Sequence, residues 1–433
     1  MKKTIKLALV AAMALGATSA FATNGDHLIG IGAKARGMGG VSIGMSHGAE
    51  SGIANPALIT SVEGTEVSFG GTLFMPNVEA TMSNPMGGDQ PTEKSAADMS
   101  MIPAVSIANK VNDNFYWGIG MWGTAGMGVD YRDAETSATN SGNMQMVTNL
   151  QLMQFGVPLA YKVAGFSVGV TPILQYGALD INYNFGGQET GEGVAQDLAF
   201  GVNVGAAYEI AGVTMGLLYK SPIAMNYDYQ LSSATTPFVQ MGIFPAAMAN
   251  DLEQPAEIGL GVSYAIAGNT IAVDFKQIKW GDAKGYKDFG WENQNVLALG
   301  YEYSADTWAV RLGYNYAKQP ITEAQSGPAM MVDATSGSFA QAGGNALNTF
   351  NLLGFPATTE SHITLGGTYV FSKQISLDGA FTYAPETEVT MKTITGYSDA
   401  GTPTDPTDDM LFTGDTTVKH SQSALSVQLN YTF

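Results

Sequence analysis

The sequence predicts an all-β chain: a fourteen-stranded antiparallel transmembrane β-barrel with an N-terminal plug (hatch) inside the lumen. Three observations predict it. From Gly64 to Phe433, apolar residues alternate with small or polar ones in runs of about ten. The connections between runs alternate between short and long, the pattern of barrels with turns on one side of a membrane and loops on the other. Charged residues are only 13% of the chain, 53 of its 433 residues are glycine and mean hydropathy is +0.04. No apolar run after the N-terminus is long enough for a membrane helix.

Residues 1–22 read as a secretory signal. Lys2, Lys3 and Lys6 form a basic start, Leu7 to Leu15 an apolar core, and Ala20-Phe21-Ala22 a small-x-small cleavage site. Removing the segment makes the formal charge of −19 more negative by three. That acidity argues against a nucleic-acid partner. There are no cysteines, which excludes thiolate metal sites and Cys nucleophiles. Acidic residues such as Asp405, Asp408 and Asp409 fall in expected loops, where they are solvated or hold divalent cations.

Residues 23–60 are rich in glycine, yet carry Leu28, Ile29, Ile31, Val41, Ile43 and Ile53. They lack both helical and strand periodicity, but are too apolar for a plain linker. Such a segment in front of a barrel is either a tail or a compact plug inside the lumen.

The barrel itself, residues 61–433, is read strand by strand. Val67, Phe69, Leu73 and Met75 mark the first strand, Val105, Ile107 and Val111 the second, and Phe115, Trp117, Ile119 and Met121 the third. Met153 through Val163 give the clearest run, the fourth. Phe166–Tyr176 form the fifth, Phe200–Ile210 the sixth and Val213–Tyr219 the seventh. Ile258–Ile266, Ile271–Phe275, Leu297–Tyr303 and Trp308–Tyr316 supply the eighth to eleventh. Ile363–Phe371, Ile375–Tyr383 and Leu425–Phe433 complete the fourteen. Short turns fall at 112–114, 164–165, 211–212, 268–269, 305–306 and 372–373. Long loops are expected near 77–100, 127–146, 183–197, 228–254, 279–294, 317–360 and 385–420. Seven long loops with both termini on the turn side require an even strand count.

Asn55-Pro56-Ala57-Leu58-Ile59-Thr60, placed after a Gly-rich run and before the first strand, resembles the plug of the FadL family of outer-membrane channels for long-chain fatty acids and other hydrophobic compounds. Phe115-Tyr116-Trp117-Gly118-Ile119-Gly120, Pro255-Ala256-Glu257-Ile258 and Trp308-Ala309-Val310-Arg311-Leu312-Gly313 extend the resemblance. It implies a hatch ending at Asn55, Pro56 and Ala57 that gates the barrel. It also implies an inward kink of the third strand against the hatch. Gly118, Gly120, Gly123, Gly126 and Gly128 permit such a kink, or simply fill a crowded wall. In the family, long loops form a hydrophobic capture groove. The matching stretch here is 228–254, with Phe238, Met241, Ile243, Phe244 and Met248. So many apolar side chains capture ligand, pack the loops into a lid, or do both.

Lys220 and Arg311 fall on the inward phase of their strands. Each either meets a ligand carboxylate or pairs with Glu257, Asp274 or Glu302. Pairing would favour an uncharged hydrocarbon as substrate over a fatty acid. Enzymatic chemistry is not expected. Gly44-Met45-Ser46-His47-Gly48 and Gly165-Phe166-Ser167-Val168-Gly169 match a nucleophile elbow in letters but lack its strand-turn-helix context. His27, His47, His362 and His420 show no ligand spacing, so neither a cofactor nor a metal is expected. The expected protein is thus a monomer in the outer membrane of a Gram-negative bacterium, with periplasmic termini. Its partners are membrane lipid, lipopolysaccharide and a hydrophobic ligand taken up passively, a long-chain fatty acid in the first reading and an uncharged aromatic or aliphatic hydrocarbon in the alternative. The competing classes are a surface adhesin or receptor barrel, which has no need of the apolar 228–254 loop, and an open porin, which has no need of a plug.

Overall fold

Fourteen strands close into one barrel in the computed structural model, which describes residues 23–84, 87–133, 144–325, 331–333, 339–398 and 409–433. The expected signal at 1–22, Asp405 and Asp408 lie outside these residues. In chain order the strands are β1 (Thr65–Met82), β2 (Ser100–Lys110), β3 (Phe115–Asp130), β4 (Val147–Gly156, continued by Leu159–Val163) and β5 (Phe166–Phe185). Then follow β6 (Ala195–Ile210), β7 (Val213–Lys220), β8 (Glu257–Ile266), β9 (Asn269–Ile278) and β10 (Gln294–Ser304). The last four are β11 (Trp308–Ala317), β12 (Ser361–Val370), β13 (Ile375–Ser398) and β14 (Met410–Thr432). Each pairs antiparallel with the next, and β14 returns to β1 through pairs such as Leu425↔Leu73. Apart from a local break between β2 and β3, closure leaves no sheet edge to satisfy, the condition for crossing a lipid core with strands.

The side-chain pattern is inverted relative to a water-soluble barrel. Phe200, Leu217 and Ile271 project outward and are 80%, 61% and 60% exposed. Ser68, Ser106, Thr171, Asn203, Asn315, Thr364 and Asn430 point inward and are buried. Aromatic side chains gather near the short turns, among them the pairs Tyr303–Trp308, Tyr369–Phe371 and Tyr431–Phe433, with ring centroids 5.5, 4.9 and 4.6 Å apart. This is the position of an interfacial girdle. Three short turns are Ala-Gly pairs, and their left-handed φ values (49° and 81° at Ala164-Gly165) match the two-residue hairpins that twist with their strands.

Three expectations are corrected. The stretch 385–420 is mostly strand: β13 and β14 stay paired from Thr387↔His420 to Ser398↔Met410. These strands rise beyond the outward apolar band, so both faces carry polar residues and the alternation disappears, while Thr, Val and Ile still favour extended backbone. β1 likewise runs to Met82. The fourth strand is broken at Val157-Pro158, because proline lacks the ladder donor; its carbonyl instead accepts from Gly118 N–H at 2.8 Å.

Residues 23–62 fill the lumen. A two-residue bridge joins Thr23–Asn24 to His27–Leu28, followed by α1 (Gly32–Gly37), α2 (Ser51–Ala54) and a 3-10 turn, Pro56–Ser61. Nearly all of these residues are buried. At the long-loop end, α3 (Gln230–Gln240), short turns at 280–289 and α4 (Gly343–Thr349) cover the mouth.

Candidate ligand-binding site

The inner segment is fastened by hydrogen bonds to inward side chains. The Asp274 carboxylate on β9 accepts the backbone N–H groups of Ser42, Ile43 and Gly44 at 2.6, 2.6 and 3.1 Å. Ser263 donates to Gly44 O, Asn203 to Ile53 O and Thr171 to Gly52 O, at 2.7, 2.8 and 2.6 Å. Asn55 caps the following turn by accepting Ala57 N–H, and its amide donates to Ile43 O at 2.8 Å. Pro56 and Ala57 lie against Gly169 on β5, where an added Cβ would sit 2.4 Å from the Pro56 carbonyl carbon. Small wall residues thus let the segment approach the barrel backbone.

The third strand changes partners along its glycine-rich stretch. β3 pairs with β2 from Lys110↔Tyr116 to Ala104↔Trp122, and its ladder to β4 slips between Gly123 and Ala125. Beyond Trp122, β2 no longer partners β3 among the described residues. The freed edge meets the N-terminal segment: His27 bridges Ala125, and Gly126 N–H donates to Asp26 O at 3.0 Å. Gly118, Gly120 and Gly123 have no room for a side chain, with Ile107 O, the Trp122 ring and Ile102 respectively within 2.6 Å of an added Cβ.

Between this part of β3 and the long loops lies a closely packed apolar cleft with about 10 Å³ of open cavity volume. Met127 of β3 and Leu150 of β4 form its floor. Leu231, Leu252, Tyr286, Phe289, Trp291 and Phe355 enclose it from three loops, and Asn351 is the remaining liner. The Asn351 carbonyl accepts Trp291 Nε1–H at 3.0 Å and its amide donates to Phe289 O at 2.8 Å, so its polar ends are occupied. An aromatic track leads in from above. Phe185, stacked 5.1 Å from Phe238, connects through Phe350, 5.5 Å from Phe238, to Phe289, a further 5.9 Å away.

The expected loop residues are part of this packing. Phe238, Ile243 and Phe244 are buried, and Met241 and Met248 pack against the same cluster. Together they pack over the mouth of the barrel. Lys220 and Arg311 are both paired. Glu257 draws in Lys220, Lys276 and the His27 ring at 3.3, 3.0 and 3.0 Å. Arg311 meets Glu302 at 2.5 Å and Asp378 at 3.5 Å. Asp274, a third expected partner, serves the inner segment instead.

Sequence reading placed a long loop near 279–294 but gave it no part in the site. Its signal was present: Trp280, Tyr286, Phe289 and Trp291 lie within twelve residues of a polar loop. It also missed Asp26, whose carboxylate accepts from Tyr286 Oη–H and from Gln254 Nε2–H. Burial pushes the Asp26 carboxyl up, against the pull of His27. Burial and the neighbouring carboxylate hold the Tyr286 phenol well above its ordinary value, so it remains a donor.

Residues 7–330 match the family model described as outer membrane protein transport protein (OMPP1/FadL/TodX). The long-chain fatty acid transport protein of Escherichia coli O6:H1 is 23% identical over 316 residues, covering 62% of this chain and 71% of that one. A FadL homologue from Pseudomonas aeruginosa superposes with a TM-score of 0.68 at 15% identity, over 94% of this chain and 99% of that one. The toluene transporter TodX of Pseudomonas putida gives 0.64 at 16% identity, over 95% and 100%.

Proposed function

The chain belongs to the OMPP1/FadL/TodX family of outer-membrane transport proteins, and from that premise we propose that it carries hydrophobic molecules passively across the outer membrane. One observation carries the reading: an apolar, loop-covered cleft lies directly against a segment that fills the lumen. Lipopolysaccharide opposes apolar solutes, and a water-filled pore offers them no favourable path. A series of apolar sites does. In this reading the long loops face outward and the termini face the periplasm. Phe238, Met241, Ile243, Phe244 and Met248 admit ligand along the aromatic track, and the cleft binds it. Asn55, Pro56 and Ala57 anchor the hatch, whose displacement releases ligand. The break between β2 and β3 after Trp122 supplies a sideways exit into the bilayer, permitted by Gly118, Gly120, Gly123 and Gly126. Binding shifts the hatch only to the extent that ligand prefers the displaced state. A monomer suffices, since the path lies within one barrel, and lipid and lipopolysaccharide surround its apolar band.

The pairing of Lys220 and Arg311 with carboxylates favours an uncharged hydrocarbon as substrate, because a fatty-acid headgroup would have to displace an existing partner. A long-chain fatty acid is the second reading, favoured by what the Escherichia coli relative transports. Calorimetric titration of the detergent-purified protein with toluene and with oleate tests both. Filling the cleft through Leu150→Trp is expected to weaken toluene binding by at least about tenfold, an overpacking cost of ~1–3 kcal/mol. Lys220→Ala is expected to leave toluene affinity within about threefold. A marked loss of oleate affinity in that variant would favour the fatty acid. Saturable binding of neither compound would overturn the reading.

A further inference from the structure

Tyr286 belongs to two structures at once. Its ring lines the apolar cleft, and its hydroxyl donates to the Asp26 carboxylate of the inner segment. The walls around it already touch: its ring centroid is 4.8 Å from Trp291 and 4.7 Å from Trp280. Trp280 in turn covers Gly25 and the His27 ring, 5.0 Å away. Gln254 donates to both Asp26 and Tyr286, at 3.2 and 3.1 Å, and its carbonyl lies 2.7 Å from the His27 ring. Asp26 and His27 are the residues that occupy the freed edge of β3, one position before the cleft liner Met127.

Resting on the ligand reading above, we propose that Tyr286 is the positioning residue that couples occupancy of the cleft to release of residues 24–31 from β3. A ligand entering between Met127, Leu150 and Phe289 cannot be accommodated without moving the Tyr286 ring. Moving the ring withdraws the hydroxyl from Asp26. The buried carboxylate then loses its phenolic donor, and burial makes that loss costly. The cheapest response is for the short bridge at His27 and the Asp26 carbonyl bond to Gly126 to open. The three bonds to Asp274 lie elsewhere in the lumen and are untouched, so the step frees the beginning of the segment and leaves residues 42–44 seated.

Hydrogen exchange of the full-length purified protein, read on peptides covering 24–31 and 123–130, tests this with toluene as the probe. Saturating toluene is expected to speed exchange of both peptides in the wild type by about tenfold or more, the scale of one lost hydrogen bond to a carboxylate. Tyr286→Phe keeps the ring and lacks the hydroxyl; because its inner segment is already released, linkage makes it bind toluene more tightly than the wild type, by up to the fold-change seen in exchange. Its two peptides are expected to exchange at the toluene-saturated rate without toluene, and toluene adds nothing further. Asp26→Asn retains an acceptor oxygen and moves exchange the same way by less. Unchanged exchange in strands β8–β12 shows that each variant is folded. Toluene binding without any change in the wild-type peptides, or wild-type exchange rates in Tyr286→Phe, overturns the coupling while leaving the ligand reading intact. Absence of saturable toluene and oleate binding in the wild type removes the ligand reading and the coupling with it.

Discussion

Replacing Asp274 by alanine is expected to unseat residues 42–44 and turn a poorly conducting barrel into a conducting one. One carboxylate accepts three consecutive backbone N–H groups here, at 2.6, 2.6 and 3.1 Å. Removing it leaves three buried donors without that acceptor, and each hydrogen bond to a charged group contributes ~1.5–3 kcal/mol. The donors share one acceptor and are not independent, so a total of about 3 kcal/mol is the more cautious figure. That raises the ratio of unseated to seated segment by about a hundredfold. Asp274→Asn keeps the shape with a single neutral acceptor and is expected to have a smaller effect in the same direction. Single-channel recording in planar bilayers measures it. Conductance as low in Asp274→Ala as in the wild type would mean that these bonds do not hold the lumen closed.

Phe238→Ala is expected to have the second-largest effect, on ligand capture. The ring is fully buried and meets Phe185, Phe244 and Phe350 at centroid distances of 5.1, 5.6 and 5.5 Å. Phe350 continues to Phe289 in the cleft wall. Removing such a ring typically costs ~3–5 kcal/mol of packing. The barrel does not depend on it, because Phe238 lies in α3 above the strands. The cost therefore falls on the arrangement of the loops. Toluene affinity is expected to fall by at least about tenfold, read by calorimetry, with the barrel's resistance to unfolding in detergent preserved. Phe244→Ala, 9% exposed at the edge of the same cluster, is expected to do less. Unchanged affinity in Phe238→Ala would assign the lid no part in binding.

The barrel was legible because each strand faces lipid on one side and the lumen on the other, which forces period two. Where that asymmetry ends, so does the signal. Thr387–Ser398 and Met410–His420 are paired strand, yet their polar faces read as loop. Candidate partners for Lys220 and Arg311 were legible in part. Glu257 and Glu302 stand directly opposite them in register, as neighbouring strands in the chain allow. The role of Asp274 was hidden because its partners are backbone groups more than two hundred residues away. The plug was legible as a conflict in composition: too many glycines for an element, too many apolar residues for a linker. The cleft was not legible, because β3, β4 and three loops each contribute one to three side chains, and no local pattern records their meeting. Tyr286 shows this most clearly, since its position is defined by Asp26, 260 residues earlier.

Uptake by intact cells tests the central claim most directly. Cells lacking their own channels for hydrophobic compounds would be given the wild-type chain or Leu150→Trp at matched outer-membrane levels, and the initial rate of toluene entry measured beside that of oleate. Wild type is expected to raise toluene entry well above the empty-vector rate, and Leu150→Trp to return it most of the way. Wild-type rates of both compounds equal to the empty-vector control, with the barrel correctly inserted, would contradict the assignment of this protein as a channel for either.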